Sequence, residues 1–416
     1  MKYGVLWRKT TKNIGDDVQS YAESLWLPQV DYMVDIEDME GFVAENDEPV
    51  ATIMSAWYMW KKWNWPPSKY VYPLWIGLHY NDIQRGKPRG MPSKFEYIED
   101  GPGKEYLKSF EPIGCRDYYT TAVLDKYGIK NYFSGCVTLT LPRRDIPKPE
   151  KEYVCLVGVT KEVEKAVKKQ LEGTGLEVKV LSPTRPQPST DLSWEVRRDE
   201  VISYLETYQN AKCVITFRLH CALPCLALET PVLLVRDSFK SVRFDPYRDW
   251  LHKAYPKEVI EGNFKDFILN PPSNPDNYKA TRAELQKTIS AFIEQAKNET
   301  RTATELVRTN YTEEEFLKWK NDTMKKTLNS YYDEYWYDFK EYKALKKEFD
   351  KLQKENNKLK EDNKHLKAKI KVLKNNADDF NDYEKKIKLL DSKSVKIALK
   401  FRAIYIRILK AFKIKK

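Results

Sequence analysis

Arg218 and His220 stand two residues apart at the front of FRLHCALPCLALETPVLLV, residues 217–235, a run that is otherwise almost entirely apolar. The chain has only four histidines. The preceding CVITF reads as a buried strand, so Arg218 falls at or just past a strand's carboxyl end. His220 then opens a helix expected over residues 221–228. The free N–H groups of a helix's first turn attract an anion. An arginine beside them offers a bidentate fork for phosphate or carboxylate. A histidine in that position can pass a proton near neutral pH. The residue types and their spacing thus describe an anion site with a proton-transfer group. Downstream, Arg236, Lys240 and Arg243 follow the next apolar run and could enlarge a positive pocket.

Other residues stand at similar junctions. Arg116, in IGCRDYYTTAVLDKYGI (residues 113–129), directly follows a short expected strand and precedes a helix. It either faces a ligand or pairs with an acid such as Asp117. In KNIGDDVQSYA, residues 12–22, Gly15 permits a tight turn and Asp16 can cap a helix. Asp16 and Asp17 then lie at the carboxyl end of the first strand, where ligands bind in parallel sheets. There a carboxylate can bind a sugar hydroxyl or take its proton. The stretch at residues 56–80 is dense in Trp, Tyr and Pro, a composition that suits sugar rings and suits a core equally. Trp57, Trp65 and the strand-following His79 are its acceptor-side candidates.

The elements that must position these groups alternate. Residues 3–7, 50–56 and 72–78 read as strands, as do the runs before Cys115 and Cys136. A charged, proline-bearing bridge at residues 141–152 follows. A second series has strands at 153–159, 176–182, 213–217 and 231–235, with helices at 161–173 and 197–211 between them. Apolar runs without alternation, separated by helices, indicate parallel sheets covered on both faces. Two such series predict two Rossmann-like α/β domains facing a cleft, at residues 1–145 and 150–300. The loop after the first strand is not G-x-G-x-x-G, which argues against a dinucleotide.

Beyond residue 300 the text changes. A helical connector is expected over 301–335. Leu345, Leu352, Leu359, Leu366 and Leu373 then recur every seven residues, with Phe349, Asn356, Asn363 and Ile370 at the alternate position. That pattern predicts a parallel dimeric coiled coil over 336–378. After Asp391 come nine Lys or Arg and no acid, so nine of the eleven net positive charges lie in the tail. The basicity is therefore no argument for a nucleic-acid-binding core. Residues 390–416 read as a basic amphipathic helix for an anionic membrane surface. No pair of the six cysteines has zinc-ribbon spacing, and three of them, Cys155, Cys213 and Cys225, sit in apolar runs and read as buried thiols, so no metal is expected. The start lacks the pattern of a signal peptide, and no apolar run is long enough to span a bilayer. These features predict a cytoplasmic protein, peripheral at the inner face of the plasma membrane.

NIGDDVQ, NWPPS with PLWIGLH, GCRDYYTTAVLDKYGI, SGCVTLTLP and RLHCALPCLALETPVL occur in that order. Together they resemble the polysaccharide pyruvyl transferase family over about residues 1–300. The resemblance implies a GT-B-like fold and phosphoenolpyruvate as donor substrate, with no cofactor. The acceptor would be a sugar in a cell-surface glycan or its lipid-linked precursor, and the product a pyruvate ketal. Carried over by motif, Arg116 is the donor-binding arginine, and Arg218, Leu219 and His220 are the R-L-H element. A later basic residue is Arg236 or Lys240. On chemical grounds His220 is the general acid or phosphate partner, and Asp16 or Asp17 the hydroxyl-binding base. Two alternatives remain: a GT-B glycosyltransferase using a nucleotide sugar, and a membrane-tethered dimeric scaffold without activity.

Overall fold

The computed structural model describes residues 1–58, 64–80, 96–239, 244–306, 311–335, 340–374 and 400. Its contacts divide the chain into one unit at Met1–Thr323 and another at Met324–Lys416. The first unit is mixed α/β. Its first half carries β1 (Lys2–Trp7), β2 (Tyr32–Asp35), β3 (Val50–Ile53), β4 (Trp57–Tyr58), β5 (Val71–Leu74), β6 (His79–Tyr80), β7 (Ile113–Cys115) and β8 (Asn131–Phe133). Four of these form a parallel sheet in the order β2-β1-β3-β5. The pairs β4–β6 and β7–β8 are short parallel ribbons. β7 is tied to the sheet's margin, where Gly114 N–H donates to the Trp75 carbonyl and Leu78 N–H to that of Gly114.

Residues 141–152, the expected bridge, run without regular structure. The second half then supplies β9 (Tyr153–Val157), β10 (Glu177–Leu181), β11 (Cys213–Thr216), β12 (Val232–Val235) and β13 (His252–Ala254). They form a parallel sheet in the order β10-β9-β11-β12-β13.

Both faces of each sheet are covered, and strand alternation sorts side chains between them. On β9, Tyr153, Cys155 and Val157 enter a central core, whereas Val154 and Leu156 enter a separate outer one. On β1, Tyr3 and Val5 face the same central core, and Leu6 faces a third. The central core therefore draws on both sheets. Local caps start the covering helices. Thr160 Oγ1 accepts from Val163 N–H ahead of Lys161–Gln170, and Ser193 Oγ from Val196 N–H ahead of Trp194–Asn210.

The two halves of this unit are also knitted by backbone. Ile14 N–H donates to Pro183, Arg185 N–H to Lys12 and Ser189 N–H to Thr11. The loop leaving β1 is thereby fixed to the loop leaving β10, before the helix Ile14–Ser24 begins.

In the second unit, Lys340–Lys374 is one continuous helix. Between residues 354 and 369, Asn356, Leu359, Asn363 and Leu366 are half-buried and every other position is exposed. Leu352, one heptad earlier, is buried. The seven-residue stripe is thus the sheltered face of this helix. The expected basic helix at 390–416 lies outside the described residues apart from Lys400. Among the described residues no helix is long and apolar enough to cross a membrane.

Candidate active site

Three strand ends and one helix build the site. Arg116 follows β7 directly and is 1% exposed. Its Nη1 donates to Gln19 Oε1 at 3.1 Å and lies 3.3 Å from His220 Nε2. The guanidinium also sits 5.6 Å from the Trp57 ring centre. Its Nη2 is buried with no hydrogen-bond partner, and Arg116 makes no ion pair among the described residues. The residue's backbone is pinned too, since Arg116 N–H donates to Leu78 and Tyr247 Oη donates to the Arg116 carbonyl at 2.6 Å.

His220 reaches Arg116 from the other half of the unit. β11 ends at Thr216, and the helix Leu219–Ala227 begins after Arg218, whose extended backbone marks the cap. The Arg218 carbonyl accepts from Cys221 and Ala222 N–H, so the turn is closed. The half-buried His220 packs over Gly15, where a Cβ would come within 2.9 Å of the His220 Cβ. Any side chain at residue 15 would push the imidazole away from Arg116. Cys136 Sγ is 3.9 Å from the same Nε2. A guanidinium only donates hydrogen bonds. As a hydrogen bond, the Arg116 contact takes His220 Nε2 as the acceptor.

Arg218 is exposed, with its Nε near Gly158. Gly158 has φ +61°, and a Cβ there would lie 3.2 Å from that nitrogen. Arg236 follows β12, half-buried, its Nη1 donating to the Phe217 carbonyl at 3.2 Å and its head 4.3 Å from the Phe244 ring. Burial lowers its pKa from the ordinary value; the Asp237 charge opposes this and the neighbouring Arg218 charge adds to it. Two cations thus crowd the ends of β11 and β12. Leu219 is 5% exposed and belongs to the central core. Its side chain anchors the turn and offers nothing to a ligand. Lys240 and Arg243 lie outside the described residues.

Several expectations are corrected. The helix after β1 is capped by Asn13, whose Oδ1 accepts from Gly15 N–H, and not by Asp16. Asp16 sits half-buried within that first turn, accepting from Thr11 Oγ1 at 2.6 Å and Asn13 Nδ2 at 2.8 Å, with Arg8 Nε 3.7 Å away. Asp17, the other base candidate, points elsewhere. It is 0% exposed, accepts from Arg197 Nε at 3.0 Å and pairs with Arg185 Nη2 at 2.6 Å. Burial pushes its carboxyl above the ordinary value while the two guanidiniums pull it back. No hydroxyl can reach it, so Asp17 holds the two halves together and is withdrawn as a base.

The aromatic candidates divide. Trp57 is half-buried and touches Arg116 and His79, whose ring centre is 4.6 Å away. Trp65 is 1% exposed, packs against Tyr58 and Trp75, and donates Nε1–H to the Gly103 carbonyl at 3.1 Å. It is core, and its acceptor role is withdrawn. His79 is 3% exposed, with Nδ1 bound to the Asp117 carboxylate. Burial opposes ionisation of Asp117, but His79, the Arg116 charge and the Thr120 N–H outweigh it and the pKa is lowered. Asp117 is thus engaged by His79 and by Thr120.

Gln19 was not among the residues singled out from the sequence. It lies four residues after Gly15, one helical turn along the same face, and that spacing was the available signal. Glu23, one turn further, is 1% exposed with neither carboxyl oxygen hydrogen-bonded among the described residues, and burial raises its carboxyl well above the ordinary value. No group of three or more metal-ligating side chains occurs among the described residues.

The family model described as polysaccharide pyruvyl transferase matches residues 90–238, the stretch that carries Arg116, Arg218, His220 and Arg236. No curated protein gives a match. Among solved structures, the S. aureus MnaA–UDP co-structure aligns with 10% identity and a TM-score of 0.37, over 75% of this chain and 99% of that one. A likeness of that size fixes neither ligand nor reaction.

Proposed function

We propose that the chain is a polysaccharide pyruvyl transferase, moving the pyruvyl group of phosphoenolpyruvate onto two hydroxyls of a sugar. One observation carries the reading. A buried arginine, Arg116, has a guanidinium nitrogen without a partner and touches a histidine set at a strand-to-helix junction beside Arg218. A buried unpaired cationic donor is costly unless a ligand completes it. Phosphoenolpyruvate carries a phosphate and a carboxylate, and Arg116 and Arg218 with the first turn after Arg218 can meet both. Arg236 forms the edge of that site.

In the reaction the enol carbon gains a proton, one sugar hydroxyl attacks the adjacent carbon, and the second hydroxyl displaces phosphate through cleavage of the carbon–oxygen bond. The proton from the first hydroxyl balances the one gained by carbon, and that of the second leaves with phosphate. His220 moves a proton at Nε2 once the phosphate draws Arg116 Nη1 toward itself. Asp16 binds an acceptor hydroxyl, and Trp57 offers a partly exposed ring face to the sugar. The two halves act as a GT-B-like pair around this site. The 340–374 helix dimerises through its leucine stripe. The basic tail rests on anionic lipid at the membrane's inner face, consistent with a lipid-linked acceptor.

The test is incubation of the full chain with phosphoenolpyruvate and free or lipid-linked oligosaccharide, followed by mass spectrometry of the glycan. A pyruvate ketal increment with release of inorganic phosphate is expected. Stabilisation in thermal shift by UDP- or GDP-sugars alone, with no ketal product, would reverse the assignment.

A further inference from the structure

The helix Ile14–Ser24 carries one stripe of three residues spaced four apart, Gly15, Gln19 and Glu23, on the side facing Arg116 and His220. Gly15 leaves room for the imidazole. Gln19 is 4% exposed, its Oε1 accepts from Arg116 Nη1, and its Nε2 donates back to the Gly15 carbonyl at 3.4 Å. That second bond settles which end of the amide is the oxygen, so the side chain presents an acceptor to the guanidinium and nothing else. The opposite choice was open to the fold. Two residues earlier, Asp17 meets its arginines with a full negative charge.

From this contrast, and resting on the anion-site reading above, we infer that Gln19 is a positioning residue whose neutrality matters. It fixes the Arg116 guanidinium without cancelling its charge. A carboxylate at residue 19 would hold Arg116 at least as firmly, through a charge-assisted bond. It would also satisfy the cation and compete with the incoming phosphate or carboxylate. An apolar side chain would leave Nη1 to His220 alone and let the head turn. The amide is the group that orients while leaving the positive charge for a ligand.

The two failures have opposite signatures, and that makes the role testable in the full chain. The variants are Gln19→Leu and Gln19→Glu, and the probes are phosphoenolpyruvate and inorganic phosphate. For Gln19→Leu, KM for phosphoenolpyruvate should rise by roughly tenfold, the size of one hydrogen bond to a charged group, with a smaller fall in kcat. For Gln19→Glu, anion affinity should fall further still, although its melting temperature equals or exceeds that of the wild type. A merely structural contact predicts the reverse order, with Gln19→Glu indistinguishable from wild type and any loss in Gln19→Leu following its melting temperature. Either finding overturns the inference. If Gln19→Leu does not fold, Gln19→Glu alone decides. Should the wild type bind phosphate in this order of variants yet form no ketal, the transferase reading fails and the role of Gln19 stands. Should it bind neither probe, both fall.

Discussion

Two clusters of arginine flank a single helix, and they are built on opposite principles. On one side Asp17 sits between Arg185 and Arg197, with Glu200 completing the group at 2.7 Å from Arg185 Nε. Arg197 further donates to the Arg8 and Lys9 carbonyls and lies 4.6 Å from the Trp7 ring centre. Here each guanidinium has an acid. On the other side Arg116 has an amide, an imidazole and an aromatic face, and no acid is paired with it among the described residues. Unpartnered nitrogens occur on both sides, on Arg116 and on Arg185. The arginines of both clusters, Arg185, Arg197 and Arg116, are almost completely buried, so burial does not separate them. What separates them is charge balance. A matched buried pair fixes geometry, whereas an unmatched buried cation is a vacancy for an anion.

Breaking each cluster should therefore give different losses. His220→Ala removes the proposed proton-transfer group from the unmatched side. Turnover should fall by roughly a hundred- to ten-thousand-fold, with the denaturation midpoint close to that of the wild type. Comparable turnover in this variant would remove His220 from the mechanism. Asp17→Asn attacks the matched side: it leaves the buried Arg197 without a countercharge and Arg185 with Glu200 alone. The expected cost is about 3–5 kcal/mol of folding stability, read from urea unfolding, while the molecules that remain folded keep their KM for the donor. A stability loss confined to Arg116 variants, with Asp17→Asn unaffected, would invert the comparison.

The smallest expected effect concerns Glu23, on the stripe shared with Gln19. Its carboxyl is raised well above 4.5, first by burial. The folded protein thus keeps a proton that the unfolded chain releases. Stability tied to Glu23 is complete below the unfolded value and is lost as pH rises through the folded one. Glu23→Gln keeps the shape without the titration. It should match the wild type near pH 4 and exceed it at pH 8, by about 1–2 kcal/mol. Parallel pH dependence in the two proteins would show that Glu23 does not titrate in this way.

The local text of the chain contained much of this. Apolar runs separated by helical patterns specify parallel strands covered on both faces, because burial on two sides leaves no polar alternation. Cations written just after such runs must fall at strand ends, which is how Arg116, Arg218 and His220 could be read. Asn13 taking the cap from Asp16 shows the limit of that reading, since both types cap well and a shift of three residues decides.

The pairing of charges lay beyond it. Asp16 and Asp17 are neighbours in the chain, yet one helical step turns them about 100° apart, toward a polar loop and toward two arginines. Trp57 and Trp65 have the same composition around them, and only packing sends one to the site and the other to the core. Gln19 meets Arg116 across 97 residues, His220 meets it across 104, and Arg197 meets Asp17 across 180. Sequence determined which groups could carry charge and where along each strand they stand, because strand and helix patterns are local. Tertiary structure decided which buried cation is paired with an acid and which is not, because that depends on partners brought together from distant parts of the chain.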